Sequence, residues 1–243
     1  PHPAEAPHAR GGREIEARVV VSNADPFRLR DLVGRANFPD EFNAMLDLRR
    51  RPGMTMKVNL ALDRLPRFRC LPEDRGQYRG TIHLLPQDAD VIAAIRKGFD
   101  EAEQGELPDF PTIEWYTHTE VDPSLRDEQG RHSSAFFVQW VPYELSRGRA
   151  WTDEESRYAR HLIDIADRFA PGLAASVVDV FALAPPTIER YFGMSAGHIH
   201  HIDNTFGFDE RMPYRTPIEG LYACSAACHP AGSVIGAAGH NAA

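Results

Sequence analysis

The last stretch of the chain, residues 220–243, combines small residues with side chains that can bind or react with a ligand. An apolar run from Leu221 has strand character, and reactive side chains follow it at Cys224, Cys228 and His229. From residue 232 onward the sequence favours a helix with glycines along one face, at Gly232, Gly236 and Gly239. A helix start without side chains presents free N–H groups and the positive end of the helix dipole. We therefore predict that an anionic or electron-rich group binds there; the alternative is that the glycines only permit close helix packing.

This stretch resembles the C-terminal flavin-contacting motif of the phytoene-desaturase-like FAD-dependent oxidoreductases, and within them the branch of the pyridine nucleotide-disulfide oxidoreductase domain-containing proteins. The matching positions are Gly220, Leu221, Tyr222, Cys224, His229, Pro230, Gly232, Val234, Gly236 and residues 237–239. The resemblance implies FAD as the cofactor, with the helix start near residues 232–234 facing the pyrimidine side of the isoalloxazine ring. The helix dipole can stabilise the negative charge of a reduced flavin there.

The resemblance also implies roles for individual residues. It implies backbone contacts to the flavin from Gly232, Ser233 and Val234, and an approach to the ribityl and pyrophosphate groups lined by Gly220, Cys224, Ser225 and Ala226. His229 is the candidate catalytic residue, as a polar group beside the ring. The implied reaction is hydride transfer from an apolar or amine-type substrate to the flavin, which carries the chemistry because no residue stands out as a general base.

The same stretch departs from the family at positions where glycine is usual. The residues there are Ser225, Ala227, Ala231 and Ser233, and His240 stands where the family tends to have arginine. A side chain can be incompatible with a positive φ angle or with close contact to a cofactor. These departures support a second hypothesis, in which the chain is a truncated or degenerate, non-catalytic remnant that acts as an interaction module.

A second group of ligand-type residues lies in the segment 193–204, at His198, His200 and His201. In an extended strand His198 and His200 would share one face, a pattern that suggests a zinc hydrolase. Only Asp203 adds a further ligand nearby, and the resembled family binds flavin without metal. We therefore predict hydrogen-bonding histidines and no metal, and the resemblance would allow one of them to donate to the substrate.

The N-terminal region lacks the loop that a dinucleotide-binding protein uses to hold the pyrophosphate. Gly11 and Gly12 form an isolated pair in the polar residues 1–16, and no G-x-G-x-x-G pattern occurs in the chain. The sequence also starts without an initiator Met. We therefore expect the chain to be the C-terminal part of a longer protein, with an N-terminal dinucleotide-binding half as its missing partner.

Composition limits the class of protein. A chain of 243 residues with 42% hydrophobic residues can bury a core, and its net charge of −8 disfavours a nucleic-acid partner. No apolar run approaches the length of a membrane span. The three cysteines do not form a disulfide framework. We expect a cytoplasmic protein, with peripheral membrane contact left open.

The hydrophobic pattern predicts an α/β architecture in which an α+β substrate domain is flanked by pieces of a Rossmann-like FAD/NAD(P)-binding domain. The substrate domain, residues 54–184, should contain a mostly antiparallel sheet with helices. Residues 17–53 should form the re-entry strand and helix of the FAD domain, and residues 185–243 the return to it. The valine run at residues 19–21 predicts a buried strand.

Three local patterns carry further predictions. In the strand starting at Met54, alternation places four side chains on one face, namely Met56, Val58, Leu60 and Leu62. Asp88 should cap one helix, and Thr152 with Glu155 should form a capping box on another. The aromatic-rich strand 134–143 should either be buried on both faces or line an apolar substrate cavity.

Overall fold

The computed structural model describes residues 16–232 and 234–243. These residues form two compact units. The first, which we call the split unit, comprises the described residues up to Gly53 together with Thr187–Ala243, and the second, the sheet unit, is Met54–Pro186. The predicted N-terminal stretch 1–16 lies outside the described residues apart from Glu16. The assignment of the two units to a flavin domain and a substrate domain remains a prediction.

The described strands are β1 (Val20–Ser22), β2 (Thr55–Leu62), β3 (Ile82–Leu84), β4 (Thr112–Thr117), β5 (His132–Gln139), β6 (Val177–Leu183) and β7 (Leu221–Ala223). The α-helices are α1 (Pro26–Val33), α2 (Asp40–Arg49), α3 (Val91–Glu103), α4 (Trp151–Phe169), α5 (Leu173–Ser176), α6 (Pro185–Phe192) and α7 (Ala237–Ala242). None of the helices in this part of the chain is both long enough and apolar enough to cross a membrane.

The sheet unit is built on five antiparallel strands in the order β3-β4-β5-β2-β6. The predicted alternation in β2 is confirmed, because Met56, Val58, Leu60 and Leu62 are all at most 3% exposed. Helix α4 covers this face, with Tyr158, Leu162 and Ile165 in the same core. The fold class is therefore α/β with a mostly antiparallel sheet and helices, as the sequence predicted.

Both predicted caps in the sheet unit are wrong. Helix α3 begins after Asp90, whose side chain accepts a hydrogen bond from the N–H of Ala93 at 2.9 Å. Helix α4 begins after Ala150 with no side-chain cap. The Glu155 carboxylate is used elsewhere, since its Oε1 accepts from the N–H of Ala184 at 2.6 Å. Which residue caps a helix therefore depends on the residue at which the helix begins. The local sequence pattern does not determine that residue.

Strand β5 is the central strand of the sheet, and its two faces are buried to different extents. Phe136 and Val138 are fully buried, whereas Phe137 on the opposite face pairs across the strands with Lys57 and Glu114. Glu114 accepts from Gln139 Nε2 at 2.9 Å on that face. The predicted central strand is therefore confirmed, but its second face is only partly buried, with Ala135 fully buried and Phe137 half-buried. An apolar substrate cavity lined by β5 stays a prediction.

The split unit contains the parallel pair β1 and β7, with Val20 opposite Leu221 and Ser22 opposite Ala223. Strand β1 is not buried as predicted, since Val19, Val20 and Val21 are 56%, 51% and 47% exposed. The reason is that β7 is the one partner of β1 among the described strands. The core of this unit lies around Leu46, Ile202 and Cys228, all fully buried.

Candidate functional site

Strand β7 brings the predicted flavin-contacting segment to the edge of β1. Gly220 precedes the strand with φ +77°, and a Cβ added there would lie 2.8 Å from the carbonyl oxygen of Arg18. Its own carbonyl accepts from the N–H of Val20 at 2.8 Å. The approach of β1 is therefore sufficient to require a glycine at position 220.

The turn after β7 buries the side chains of Ser225 and Cys228. The N–H of Cys224 donates to the carbonyl of Ser22 at 2.9 Å, and Ser225, 1% exposed, accepts from the N–H of Ala227 through Oγ. Cys228 is fully buried, and burial raises the pKa of its thiol to about 12. The Cys228 sulfur therefore stays protonated, which disfavours nucleophilic chemistry. Cys224 and Ala226 are half-buried and so remain accessible in part.

Arg211 holds this turn to the histidine segment. Its side chain is 5% exposed and donates to the carbonyls of Ala226 at 2.9 Å, Ala227 at 3.1 Å and Ile202 at 3.2 Å. These acceptors are neutral, so the guanidinium places a buried positive charge behind the turn. Sequence reasoning missed this role, and no local pattern around Arg211 signals it.

The histidine segment is a set of tight turns and not the extended strand that a shared face would need. His198 follows a short 3₁₀ turn at Ser195–Gly197, and His201 has φ +61°. Burial lowers the pKa of His198, His200 and His201, which favours neutral rings. His198 Nε2 lies 3.4 Å from Asp203 Oδ2. Within residues 16–232 and 234–243, no group of three or more His, Cys, Asp or Glu side chains is arranged to hold a metal ion.

Gly232 and His200 meet at the end of the turn. A Cβ added to Gly232 would lie 3.3 Å from His200 Nδ1 and 3.9 Å from the Cβ of Ala226. His200 Nδ1 is buried and has no hydrogen-bond partner within the described chain. The structure therefore joins two predicted residues, Gly232 and Ala226, to a histidine with an unused nitrogen. The sequence signalled this histidine only through its membership of the histidine segment.

The predicted helix start at residues 232–234 is wrong. Helix α7 begins at Ala237, after Gly236 with φ +71°. Ala231 and Val234 have φ values of +82° and +55°, which a right-handed helix excludes. The predicted contact Val234 is fully exposed, and Ser233 lies outside the described residues. The free N–H groups of a helix therefore do not start at Gly232.

His229, the predicted catalytic residue, lies at the surface. Its ring contacts Phe208 edge-on with centroids 5.1 Å apart, and its carbonyl accepts from the Tyr214 hydroxyl. Asn241 Nδ2 in turn donates to that hydroxyl at 2.8 Å. The backbone of His229 is thus fixed, while its imidazole has no hydrogen-bond partner within the described chain.

Comparison with known proteins found no matching family model. The chain is 33% identical over 247 residues to the mouse protein named pyridine nucleotide-disulfide oxidoreductase domain-containing protein 2, covering 96% of this chain and 42% of that protein. The rat protein of the same name is also 33% identical, over 249 residues, with the same coverage. A limonene dehydrogenase polypeptide of Castellaniella defragrans is 26% identical over 198 residues, covering 76% of this chain and 35% of that polypeptide.

Among solved structures, an oxidoreductase from Methanosarcina mazei matches with a TM-score of 0.44 and 12% identity, covering 89% of this chain and 39% of that one. The chain therefore spans less than half the length of the curated relatives it matches.

Proposed function

Nearly the whole chain is related to pyridine nucleotide-disulfide oxidoreductase domain-containing protein 2, and from this relationship we propose that it is the C-terminal portion of an FAD-dependent oxidoreductase. The proposed reaction is hydride removal from an apolar or amine-type substrate. The observation that carries the proposal is the meeting of Gly232 with the unpartnered His200 Nδ1 beside the turn after β7.

The residues around Gly232 fit a flat polar group such as part of a flavin. The missing side chain at Gly232 leaves backbone open beside a buried nitrogen that lacks a partner among the described residues. A buried unpartnered nitrogen is costly unless a ligand or water satisfies it. Cys224, Ala226 and Gly232 would hold the cofactor, and His200 would bond to a polar edge of it. Gly220 and Ser225 would set the shape of the turn. Val234 and His229 would lie on the side of the turn that faces solvent.

In this proposal the bound flavin supplies the hydride acceptor. The residues of the chain position the flavin and polarise it. His200 is neutral, so its Nδ1 can accept a hydrogen bond, or donate one in the other tautomer. The Arg211 guanidinium, fixed on the carbonyls of Ala226 and Ala227, favours negative charge near the turn.

Strand β1 supports the proposed dinucleotide-binding partner. It pairs with β7 alone among the described strands, and its valines are about half exposed. Parallel sheets are normally buried on both faces and extended at both edges. We therefore include in the proposal a further strand and covering helices supplied by the dinucleotide-binding half. The free cysteines agree with a reducing, cytoplasmic location for the assembled protein, and peripheral membrane contact stays open.

Coexpression tests the proposal. The chain is produced with an upstream segment that carries a G-x-G-x-x-G strand-turn-helix, and the purified protein is examined for the visible absorbance of bound flavin. Yellow protein that loses flavin in Gly232→Val supports the site, because the valine would displace His200. Colourless protein from a folded, longer chain contradicts it. Gly239→Ala is the matched control, because an added Cβ meets nothing within 4 Å there.

The degenerate-remnant hypothesis keeps one specific support, the left-handed conformation of Ala231 with φ +82°. An alanine at a position that favours glycine is expected if selection for cofactor binding has been lost. Under that hypothesis the longer chain folds and stays colourless, and Ala231→Gly does not restore flavin.

A further inference from the structure

A cavity of about 310 Å³ lies in the sheet unit where β4 ends. Three 3₁₀ turns surround it, at Gln77–Arg79, His118–Glu120 and Pro123–Leu125. All of its lining residues belong to the sheet unit. The cavity therefore shares no lining residue with the turn around Gly232, and the proposal for it does not depend on the proposed flavin site.

One wall of the cavity consists of apolar side chains around a fixed tyrosine ring. Tyr78 is 4% exposed and its hydroxyl donates to the carbonyl of Pro66 at 2.5 Å, so the ring is fixed. Val121 and Leu125, which also line the cavity, are 69% and 50% exposed. Two large aliphatic side chains that face the same opening form a surface that an apolar group would cover.

The cavity also carries one cation and one anion that are not paired with each other. The Arg79 guanidinium has no hydrogen bond or ion pair in the described part of the chain. Asp122 accepts from the N–H and hydroxyl of Ser124 through Oδ1, at 3.0 and 2.6 Å, and Oδ2 has no protein donor among those residues. The Ser124 contacts lower the pKa of Asp122, so the carboxylate is charged at neutral pH.

His118 completes the lining with hydrogen-bonding capacity and not with charge. Burial and the nearby Lys57 ammonium lower its pKa, so the ring is neutral. It lies parallel to Tyr116, with ring centroids 6.1 Å apart and 3° between planes. Neither ring nitrogen has a protein partner within the described residues. The fixed charges of the cavity are therefore those of Arg79 and Asp122.

We propose that this cavity binds a small zwitterion with an aliphatic side chain, the chemical class of the aliphatic α-amino acids. The ligand carboxylate pairs with Arg79, its ammonium with Asp122, and its side chain covers Val121 and Leu125. A molecule with a single charge gains one of these contacts and is repelled by the other lining charge. The volume accommodates one such molecule, and because the charged groups are exposed, binding is weak and salt-sensitive.

Three probes of matched shape test the proposal on the full chain by NMR titration. They are L-leucine, 4-methylpentanoate, which lacks the ammonium, and 3-methylbutylamine, which lacks the carboxylate. L-leucine should bind at least about fivefold more tightly than either analogue, the effect of one partly exposed ion pair. Equal binding of all three probes, or no binding of L-leucine up to its solubility limit, overturns the proposal.

Charge-removing variants assign the contacts. Arg79→Gln should weaken L-leucine binding about fivefold and leave binding of 3-methylbutylamine unchanged or tighter. Asp122→Asn keeps the oxygen that accepts from Ser124, and should weaken L-leucine about fivefold while favouring 4-methylpentanoate. Arg75→Gln is the matched control, because Arg75 pairs with Glu73 at 3.5 Å and does not line the cavity. Unchanged L-leucine affinity in both Arg79→Gln and Asp122→Asn contradicts the assignment. If a variant misfolds, the comparison of the three probes on the unaltered chain still tests the proposal.

Discussion

The sheet unit and the split unit differ in the balance of apolar and polar contacts that holds each of them together. In the sheet unit, long alternating strands bury Met56, Val58 and Phe136 completely under α4. In the split unit, the strands are three residues long, and a buried arginine on neutral carbonyls holds the turn after β7. Burial of apolar surface stabilises both units, and in the split unit specific polar contacts add to a smaller apolar core.

The backbone differs in the same way. Non-glycine residues with positive φ are more frequent in the described part of the split unit, at Ala196, His201, Ala231 and Val234, than in the sheet unit, which has them at Trp140 and Arg147. Two buried histidine nitrogens without partners in the described chain, in His200 and His201, lie there as well. Strained backbone and unsatisfied polar groups concentrate at functional sites, because surrounding structure or a ligand must compensate them. The contrast teaches that strained backbone is concentrated around the proposed flavin site in the split unit, whereas the sheet unit holds the larger apolar core.

Removing core volume from the sheet unit should have the largest effect. Phe136→Ala deletes a fully buried ring that contacts Trp115 edge-on with centroids 5.2 Å apart. We expect a loss of about 3–5 kcal/mol in the free energy of unfolding, measured by urea denaturation. Ile92→Ala, at a 70% exposed position of α3, should cost under about 1 kcal/mol. Similar losses in the two variants would remove the contrast between core and surface.

Removing the guanidinium of Arg211 should open the split unit selectively. Arg211→Met leaves the carbonyls of Ile202, Ala226 and Ala227 without this donor, at a cost of about 2–3 kcal/mol. Hydrogen exchange should speed up in residues 200–204 and 224–228 and stay slow in β2 and β5. Arg215→Met, which removes only a cation–π contact to Tyr222, should leave both patterns unchanged. Uniform loss of protection across both units would argue against a local role.

Acidification should weaken the split unit. The pKa values of His198, His200 and His201 are lowered by burial, so the folded chain binds protons less readily than the unfolded one. Their stabilising contribution is complete above the unfolded value of about 6.5 and declines as the pH falls below it.

The pKa of Asp203 is lowered too, so its contribution is present above the unfolded carboxyl value of about 4 and lost at lower pH. The urea midpoint of the split unit, measured by hydrogen exchange in residues 198–204, should therefore decrease as the pH is lowered from about 7 to about 5. His200→Gln should flatten part of that slope, and a midpoint independent of pH would refute the assignment.

Relieving the left-handed residue in the turn should have the smallest effect. Ala231→Gly removes a backbone cost of about 1–2 kcal/mol and adds a chain-entropy cost of about 0.5–1 kcal/mol. We expect a net gain of at most about 1 kcal/mol, visible as a small rise in Tm. Ala226→Gly, at a position without positive φ, should lower Tm instead. If the flavin site is present but weakened, Ala231→Gly should also raise flavin affinity in the longer chain.

The sequence predicted what depends on local pattern. The buried face of β2 and the position of β7 follow from runs of apolar residues, and the structure has both. The burial of β1 was wrong because a valine run records which face is apolar, and not whether a neighbour covers it. The predicted caps of α3 and α4 were wrong because these helices begin after Asp90 and Ala150, at positions that the local sequence does not determine.

The details of the site depend on contacts between distant residues. Arg211 reaches residues 202, 226 and 227, and His200 lies beside Gly232, at separations that periodicity cannot describe. The helix predicted from Gly232 failed because the N–H of Ala231 donates to the carbonyl of Cys228 at 2.7 Å, in a turn that sets Ala231 at positive φ. The family resemblance identified the segment. Only the structure shows that Gly232 lies beside His200 and Ala226, whereas Gly220 lies against the backbone of Arg18 and Ser225 is buried within the turn.

The pairing of Val20 with Leu221 has a consequence for biosynthesis. The split unit cannot close until the ribosome has added the second of these strands, whereas the contiguous sheet unit is complete earlier. At typical translation speeds the interval between the two strands is about 10–40 s. During that time β1 lacks its partner strand, and its unpaired edge can pair wrongly with another nascent chain.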